Sequence, residues 1–186
     1  MTPHRAVLRH LRPEDAPVFA VYRNNPQVAR FQGWALPYTL AQALTEEIDT
    51  RTPGQPGWTQ LALVDANTGE LLGDFAVNGT APGEGAQAEI GFTLARRAQG
   101  RGRVSEGLDL LLAQLFSPHA LHRVCAHIDP RPAPAALLVR AGFCHEGTAL
   151  ESDWHTTSKY GGEWTDDALW AAGAGMAQAE QGDGLI

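Results

Sequence analysis

Long apolar runs are what this chain most plainly lacks. Hydrophobic residues make up 44% of its 186 positions. Even so, no stretch reaches the roughly 18 consecutive apolar residues a membrane-spanning helix needs. Residues 1–11 carry Arg5, Arg9 and two histidines but no apolar signal core, so a cytoplasmic protein is expected. Cysteine is scarce: Cys125 and Cys144 stand alone, with no CxxC and no zinc spacing, and read as buried free thiols. Positive charge is in deficit. A net charge of −7 argues against a nucleic-acid phosphate binder and suits a cationic partner. There is no Gly-Lys-Ser/Thr P-loop and no GxGxxG after a first strand. His119 and His122 lie one helical turn apart, but no third ligand is placed, and no metal is expected.

What remains is a chain long enough for one domain with a real core. Val7, Arg9 and Leu11 alternate with Leu8 and His10 as a short strand. Pro13, Glu14 and Asp15 mark a helix start, Val18, Phe19, Val21 and Tyr22 supply its apolar face, and Asn24-Asn25-Pro26 ends it. Thr39 and Gln42 form a capping-box pattern for a helix to about residue 48. Residues 51–57 read as a loop. Residues 58–64 and 71–77 flank a polar turn and predict a hairpin. Residues 79–85 form a second loop.

Ala88, Ile90, Phe92 and Leu94 alternate strictly with Glu89, Gly91 and Thr93, the cleanest strand signal in the chain. After Gly102 the period changes: Val104, Leu108, Leu111, Leu112, Leu115 and Phe116 share one helical face. Val124, Ala126 and Ile128 alternate as another strand. Residues 133–141 predict a short helix with Gly142 at its left-handed C-cap. A strand from Phe143, a polar turn over 156–162 and a last strand over 164–170 complete the pattern. Residues 171–186, rich in Gly, Ala and Gln, read as a loose tail. The order predicts one mixed α/β domain over 1–172, with a flexible tail over 173–186 and a parallel strand pair in the middle.

The most informative stretch is 89–104. A half-buried strand runs through Ala98-Gln99-Gly100-Arg101-Gly102-Arg103 straight into an amphipathic helix. Glycines allow close approach of the backbone to a ligand, and the helix start offers unpaired N–H groups at a positive dipole end. Arg101 and Arg103 add charge, and Ser105 adds a hydroxyl in the first turn. The set reads as a pyrophosphate cradle.

At this point the chain resembles the GCN5-related N-acetyltransferase (GNAT) family, and within it the RimJ/RimL-like branch that acetylates ribosomal protein N-termini. The resemblance runs from Leu8 to Trp170. It is carried by Leu8-Arg9-His10-Leu11-Arg12-Pro13-Glu14-Asp15-Ala16, by Asn25-Pro26-Gln27-Val28-Ala29-Arg30-Phe31, and by Ala88-Glu89-Ile90-Gly91-Phe92-Thr93-Leu94 with Gln99-Gly100-Arg101-Gly102. Leu121-His122-Arg123-Val124, Ala141-Gly142-Phe143 and Gly162-Glu163-Trp164-Thr165-Asp166 complete the series. It implies a mixed sheet of about seven strands, its central parallel strands splayed, with about four flanking helices.

It also implies that Phe92, Thr93 and Leu94 offer backbone groups to the pantetheine of acetyl-CoA. Gln99, Gly100, Arg101, Gly102, Arg103, Val104 and Ser105 would hold its pyrophosphate. An amine would attack the thioester directly, with loops around 31–38 and the final hairpin shaping the acceptor site. The chain departs from the family pattern at Val104, where Gly or Ala is usual. It also lacks the Asn and Ser that follow Asp129-Pro130 in relatives, and the tyrosine they place near Leu137 or Leu138.

Glu89 is the candidate base, since an ammonium acceptor must lose a proton before attack. Asp74 interrupts an apolar strand and reads as an acceptor-site carboxylate or an edge position. His127 reads as a satisfied sheet histidine. Trp34 is placed at the acceptor mouth, and Glu151, Asp153 and Trp154 either contact the acceptor or cap the sheet. The other tryptophans read as packing residues. The acceptor is a protein N-terminus, a small amine or an antibiotic. A catalytically degenerate module that binds acyl-CoA or a partner is the alternative. Exposed sheet edges make a homodimer a possible assembly.

Overall fold

The computed structural model describes residues 5–30, 32–46, 51–80, 86–117, 119–130, 132–155 and 163–174. Its frame is a seven-stranded mixed sheet in the order β1-β2-β3-β4-β5-β7-β6. β1 (Ala6–His10), β2 (Gly57–Asp65), β3 (Leu71–Gly79) and β4 (Gln87–Leu94) form an antiparallel run. β4 then pairs in parallel with β5 (Arg123–Ile128). β5 is followed by the antiparallel ribbon of β7 (Glu163–Gly173) and β6 (Cys144–His155).

The single parallel pair follows from connectivity. α4 (Arg103–Phe116) links β4 to β5 as a crossover, the connection that parallel neighbours require. α4 lies on one face of the sheet. Leu108, Leu111, Leu112 and Leu115 are its buried stripe, against Leu61, Leu63, Phe75, Val77, Ile90 and Val124. Gly107 lets it settle closely: a Cβ there would stand 2.7 Å from Leu63 and 2.8 Å from Phe75. α5 (Pro132–Arg140) adds Leu137 and Leu138 to the same core. Gly142 ends it with φ +82°.

The opposite face is covered by α1 (Ala16–Arg23), α2 (Pro26–Ala29) and α3 (Leu40–Glu46). There Phe19, Tyr22, Val28, Tyr38 and Ala43 pack on Ala62, Val64 and Leu71. The Thr39–Gln42 capping box forms: Gln42 N–H donates to Thr39 Oγ1 at 3.2 Å, and Thr39 N–H to Gln42 Oε1 at 2.8 Å.

Two boundaries differ from the sequence reading. Asn25-Pro26 does not merely end α1; Asn25 Oδ1 accepts the Gln27 N–H and starts α2. The final strand continues past Trp170 to Gly173, with Ala171 and Ala172 buried opposite Cys125 and Val124. The expected turn over 156–162 and residues 175–186 of the expected tail lie outside the described residues. Among the described residues no helix is long and apolar enough to cross a membrane, and no group of three His, Cys, Asp or Glu side chains could hold a metal ion.

Candidate active site

β4 and β5 stay paired over three positions only: Gln87 with Arg123, Ala88 with Val124, and Glu89 with Cys125. Beyond them β4 continues to Leu94 and β5 to Ile128 with no further register between the two. The strands therefore part at Glu89 and Cys125. From Ile90 onward the β5-side edge of β4 has no strand partner among the described residues, although its other edge stays paired with β3 as far as Leu94. Unpaired strand edges of this kind recruit an extended ligand as a surrogate strand.

The open wedge leads to the end of β4. A 3-10 turn (Arg96–Ala98) is followed by Gly100 at φ +72° and Gly102 at φ +71°, and Gly102 is the N-cap of α4. Side chains with a Cβ rarely adopt that backbone. Among the described residues, no atom beyond its chain neighbours lies within 4 Å of a Cβ built on Gly100. The backbone N–H groups of Arg103, Val104 and Ser105 open a 14-residue helix and have no carbonyl in the turn before them. Donors, a positive dipole end and free space thus coincide, as an anionic diphosphate requires. Exposed Arg101 adds charge.

Arg103 takes a different part from the expected one. Its guanidinium donates to Asp65 Oδ2 at 2.8 Å, with the two side chains 18% and 15% exposed. Its side chain therefore anchors the helix start to the β2–β3 turn. Asp65 is held below the usual carboxylate range, chiefly by the N–H groups of Asn67 and Thr68, with Arg103 adding to the effect. Val104 is half-buried against the core of the α4 face. Phe92 and Leu94 pack on that core too, and the Leu94 carbonyl accepts from the Gln99 side chain at 3.2 Å.

The face carrying Glu89 looks toward α1–α3. Directly paired residues share a face, so Trp58, Asn78, Glu89 and Cys125 form one row across β2, β3, β4 and β5. Glu89 is half-buried and Trp58 is 46% exposed. Cys125 is half-buried; desolvation pushes its thiol up, opposed by Arg123 and reinforced by Glu89. It is therefore kept protonated, a poor nucleophile.

Two residues along β5 from Cys125, His127 stands on the same face with its Nδ1 2.6 Å from Asp167 Oδ2 of β7. The side chains are 42% and 26% exposed. The sequence reading treated His127 as a satisfied sheet histidine, and its carboxylate partner, 40 positions away, left no local trace. Trp58 was likewise read as packing.

Asp74 and Trp34 belong to one buried assembly. Asp74 is 2% exposed; it accepts from Tyr22 Oη at 2.5 Å and from Arg23 Nη2 at 3.2 Å. The Arg23 guanidinium lies 4.2 Å from the ring centres of both Phe19 and Trp34, and Trp34 Nε1 donates to the Arg23 carbonyl at 3.2 Å. Asp74 is thus no open carboxylate, because meeting an acceptor would strip Arg23 of its counter-charge. The loop that carries Trp34 does reach the wedge: Thr93 Oγ1 donates to Gln32 Oε1 at 3.4 Å. The backbone of Trp154 pairs with Trp164 in the β6–β7 ribbon, beyond the last β5 partner of β7, on the side where the wedge opens. Glu151 on β6 has a φ of +46°, and its N–H donates to Asp166 Oδ1. α5 offers no hydroxyl, since it contains no Ser, Thr or Tyr, and Arg131 lies outside the described residues.

A model of the acetyltransferase (GNAT) domain matches residues 5–143. An uncharacterised N-acetyltransferase, p20, of Bacillus licheniformis is 28% identical over 77% of this chain and 81% of its own length. The spermidine N-acetyltransferase of Vibrio cholerae, solved with CoA and spermine, superposes with a TM-score of 0.78 at 19% identity, covering 94% of this chain and 99% of that one. The ribosomal-protein-S5-alanine acetyltransferase of Vibrio fischeri superposes with a TM-score of 0.72 at 19% identity, covering 94% and 96%. The splayed strand pair, the glycine cradle and the extent of the family match lead to one conclusion: the chain belongs to the GNAT family and is an N-acetyltransferase, of the kind that moves acetyl from acetyl-CoA to an amine.

Proposed function

We propose that acetyl transfer takes place where β4 and β5 part, beside Glu89, and that the acceptor is a primary amine on a protein N-terminus or a small molecule. The observation that carries this reading is the loss of β4–β5 pairing after Glu89, on a strand that ends in the Gly100–Gly102 cradle. Acetyl-CoA supplies an activated acetyl thioester, and the chain's residues do the rest. The free edge of β4 at Phe92, Thr93 and Leu94 aligns an extended arm. The backbone of Gln99, Gly100, Arg101, Gly102, Arg103, Val104 and Ser105 receives the diphosphate.

Glu89, the base expected from the sequence, attracts the acceptor ammonium. Exposed Trp58 in the same row offers its ring face to a cation, and the net charge of −7 suits such an acceptor. Direct attack is favoured over an acyl-enzyme because Cys125, the thiol at the vertex, is held protonated. The loop over Thr93 and the β6–β7 ribbon with Trp154 wall the acceptor side.

The resemblance to the ribosomal-protein branch favours a peptide amine. The two structural neighbours named above acetylate a polyamine and a ribosomal-protein alanine, according to their names. A cytoplasmic location and a homodimer through the outer strands β1 and β6 complete the proposal.

Acetyl-CoA titration by calorimetry, followed by thiol release with spermidine, N-terminal alanine peptides and aminoglycosides, tests it. Saturable binding with turnover of one amine class is expected; binding without turnover of any amine class would favour the degenerate module. Gly102→Val forces a β-branched residue into the left-handed region at a cost of about 1–3 kcal/mol. It should weaken acetyl-CoA at least about tenfold, and unchanged affinity would remove the cradle from the site.

A further inference from the structure

We infer that His127, oriented by Asp167, is a catalytic residue of this acetyltransferase: it takes the proton that the acceptor ammonium sheds. The inference rests on the reading of the β4–β5 vertex as the site of acetyl transfer. His127 lies on β5, two positions past Cys125, the last residue of β5 paired with β4. Side chains alternate along a strand, so it shares the face of Cys125 and Glu89, and it stands where the wedge has just opened.

Its Nδ1 is tied to Asp167 Oδ2 at 2.6 Å. A carboxylate there fixes the tautomer with hydrogen on Nδ1 and leaves Nε2 as the acceptor. Nε2 has no hydrogen-bond partner among the described residues, and the side chain is 42% exposed. A base that is oriented, unblocked and open to the wedge is what proton removal needs.

On its face of the sheet stand Glu89 on β4, Cys125 and Arg123 on β5, Asp167 on β7 and, farther along β6, Asp153. Arg123 is itself paired with Glu146 of β6 and bonded to Gln87 of β4. His145 of β6 is on the opposite face, against Trp170. No side chain of α5 competes for the role: its only titratable group is Arg140.

The ammonium gives one proton to His127 Nε2. The amine lone pair then forms the N–C bond to the acetyl carbonyl carbon, the C–S bond breaks, and its electron pair leaves on sulfur. A second proton passes from nitrogen to that sulfur, giving the amide and the free thiol, and His127 returns its proton to solvent. Asp167 is a positioning residue. Glu89 holds the ammonium in place, and its carboxylate and the imidazole flank the vertex.

The test uses the full chain and whichever amine of the panel gives the fastest thiol release. His127→Gln should lower kcat about a hundredfold, with the affinity for acetyl-CoA within twofold and the melting temperature unchanged. It should also remove the acidic limb of the pH–rate profile. Asp167→Asn should lower kcat about tenfold and shift that limb without abolishing it. Glu89→Gln should raise KM for the amine and keep the limb. A His127→Gln enzyme with wild-type kcat and an intact acidic limb would overturn the inference while leaving the site reading in place. Nuclear magnetic resonance supplies a readout independent of turnover: acetyl-CoA should shift the His127 imidazole signals and leave those of His145 in place. Unmoved His127 signals under saturating acetyl-CoA would overturn the inference even if no amine were consumed. Absence of acetyl-CoA binding would overturn the site reading itself, and this inference with it.

Discussion

Two charged pairs flank the splay of this sheet, on the same face and with opposite character. On the β3 side, Arg23 and Asp74 are 5% and 2% exposed and walled by aromatic rings. On the β5 side, His127 and Asp167 are 42% and 26% exposed. The first pair has been taken out of water, and neither charge is available to a ligand. The second is held in one geometry yet open, so its energy is small and its chemistry is available. Burial therefore separates a charge pair that secures the α1–β3 packing from one that can move a proton.

That contrast breaks most decisively at Asp74. Asp74→Ala should destabilise the fold by about 3–5 kcal/mol, because it removes one half of a buried ion pair. Replacing both partners by Arg23→Met and Asp74→Leu should recover much of that loss. Chemical denaturation of the single and double variants checks both, and a harmless Asp74→Ala would erase the distinction.

Asp15 is the intermediate case. Burial raises its pKa, but the Arg9 guanidinium, the Arg12 N–H and both arginine charges outweigh it and hold the carboxyl below its usual range. A lowered folded pKa means that its contribution is present above the unfolded value, about 3.9, and is lost as pH falls through the folded one. Asp15→Asn should cost about 2 kcal/mol at neutral pH and flatten the loss of stability below about pH 4. Denaturant midpoints measured down a pH series show whether it does.

The smallest effect belongs to Arg97 and Glu70, 48% and 53% exposed at 2.6 Å. A double-mutant cycle there should give less than about 1 kcal/mol. A larger coupling would mean that exposure is a poor guide to these pairs.

Local patterns were legible wherever neighbours in sequence decide the structure. Strict alternation over 88–94 marked β4, because one face of a strand meets the core and the other does not. Thr39 and Gln42 announced α3 because a capping box is built within four residues. The crossover rule gave the parallel β4–β5 pair. Asn25-Pro26 was ambiguous, since the same residues that stop one helix can cap the next. The end of β7 was hidden because Ala171 and Ala172 carry no amphipathic contrast, and only pairing with β5 makes them strand.

At the site the sequence marked the Glu89 strand and the Gly100–Gly102 turn that follows it, both written in one continuous stretch. It could not show that Asp74 is sealed beneath Arg23, that Arg103 is spent on Asp65, or that Asp167 holds His127. Each of those depends on residues 38 or more positions apart meeting across the sheet. Periodicity, caps and turn residues act within a few bonds, so the sequence by itself determined most of the elements, their order and the family. Burial and the pairing of charges are properties of a surface that exists only once distant strands are side by side, so the tertiary structure decided which carboxylates are structural and which histidine faces the wedge.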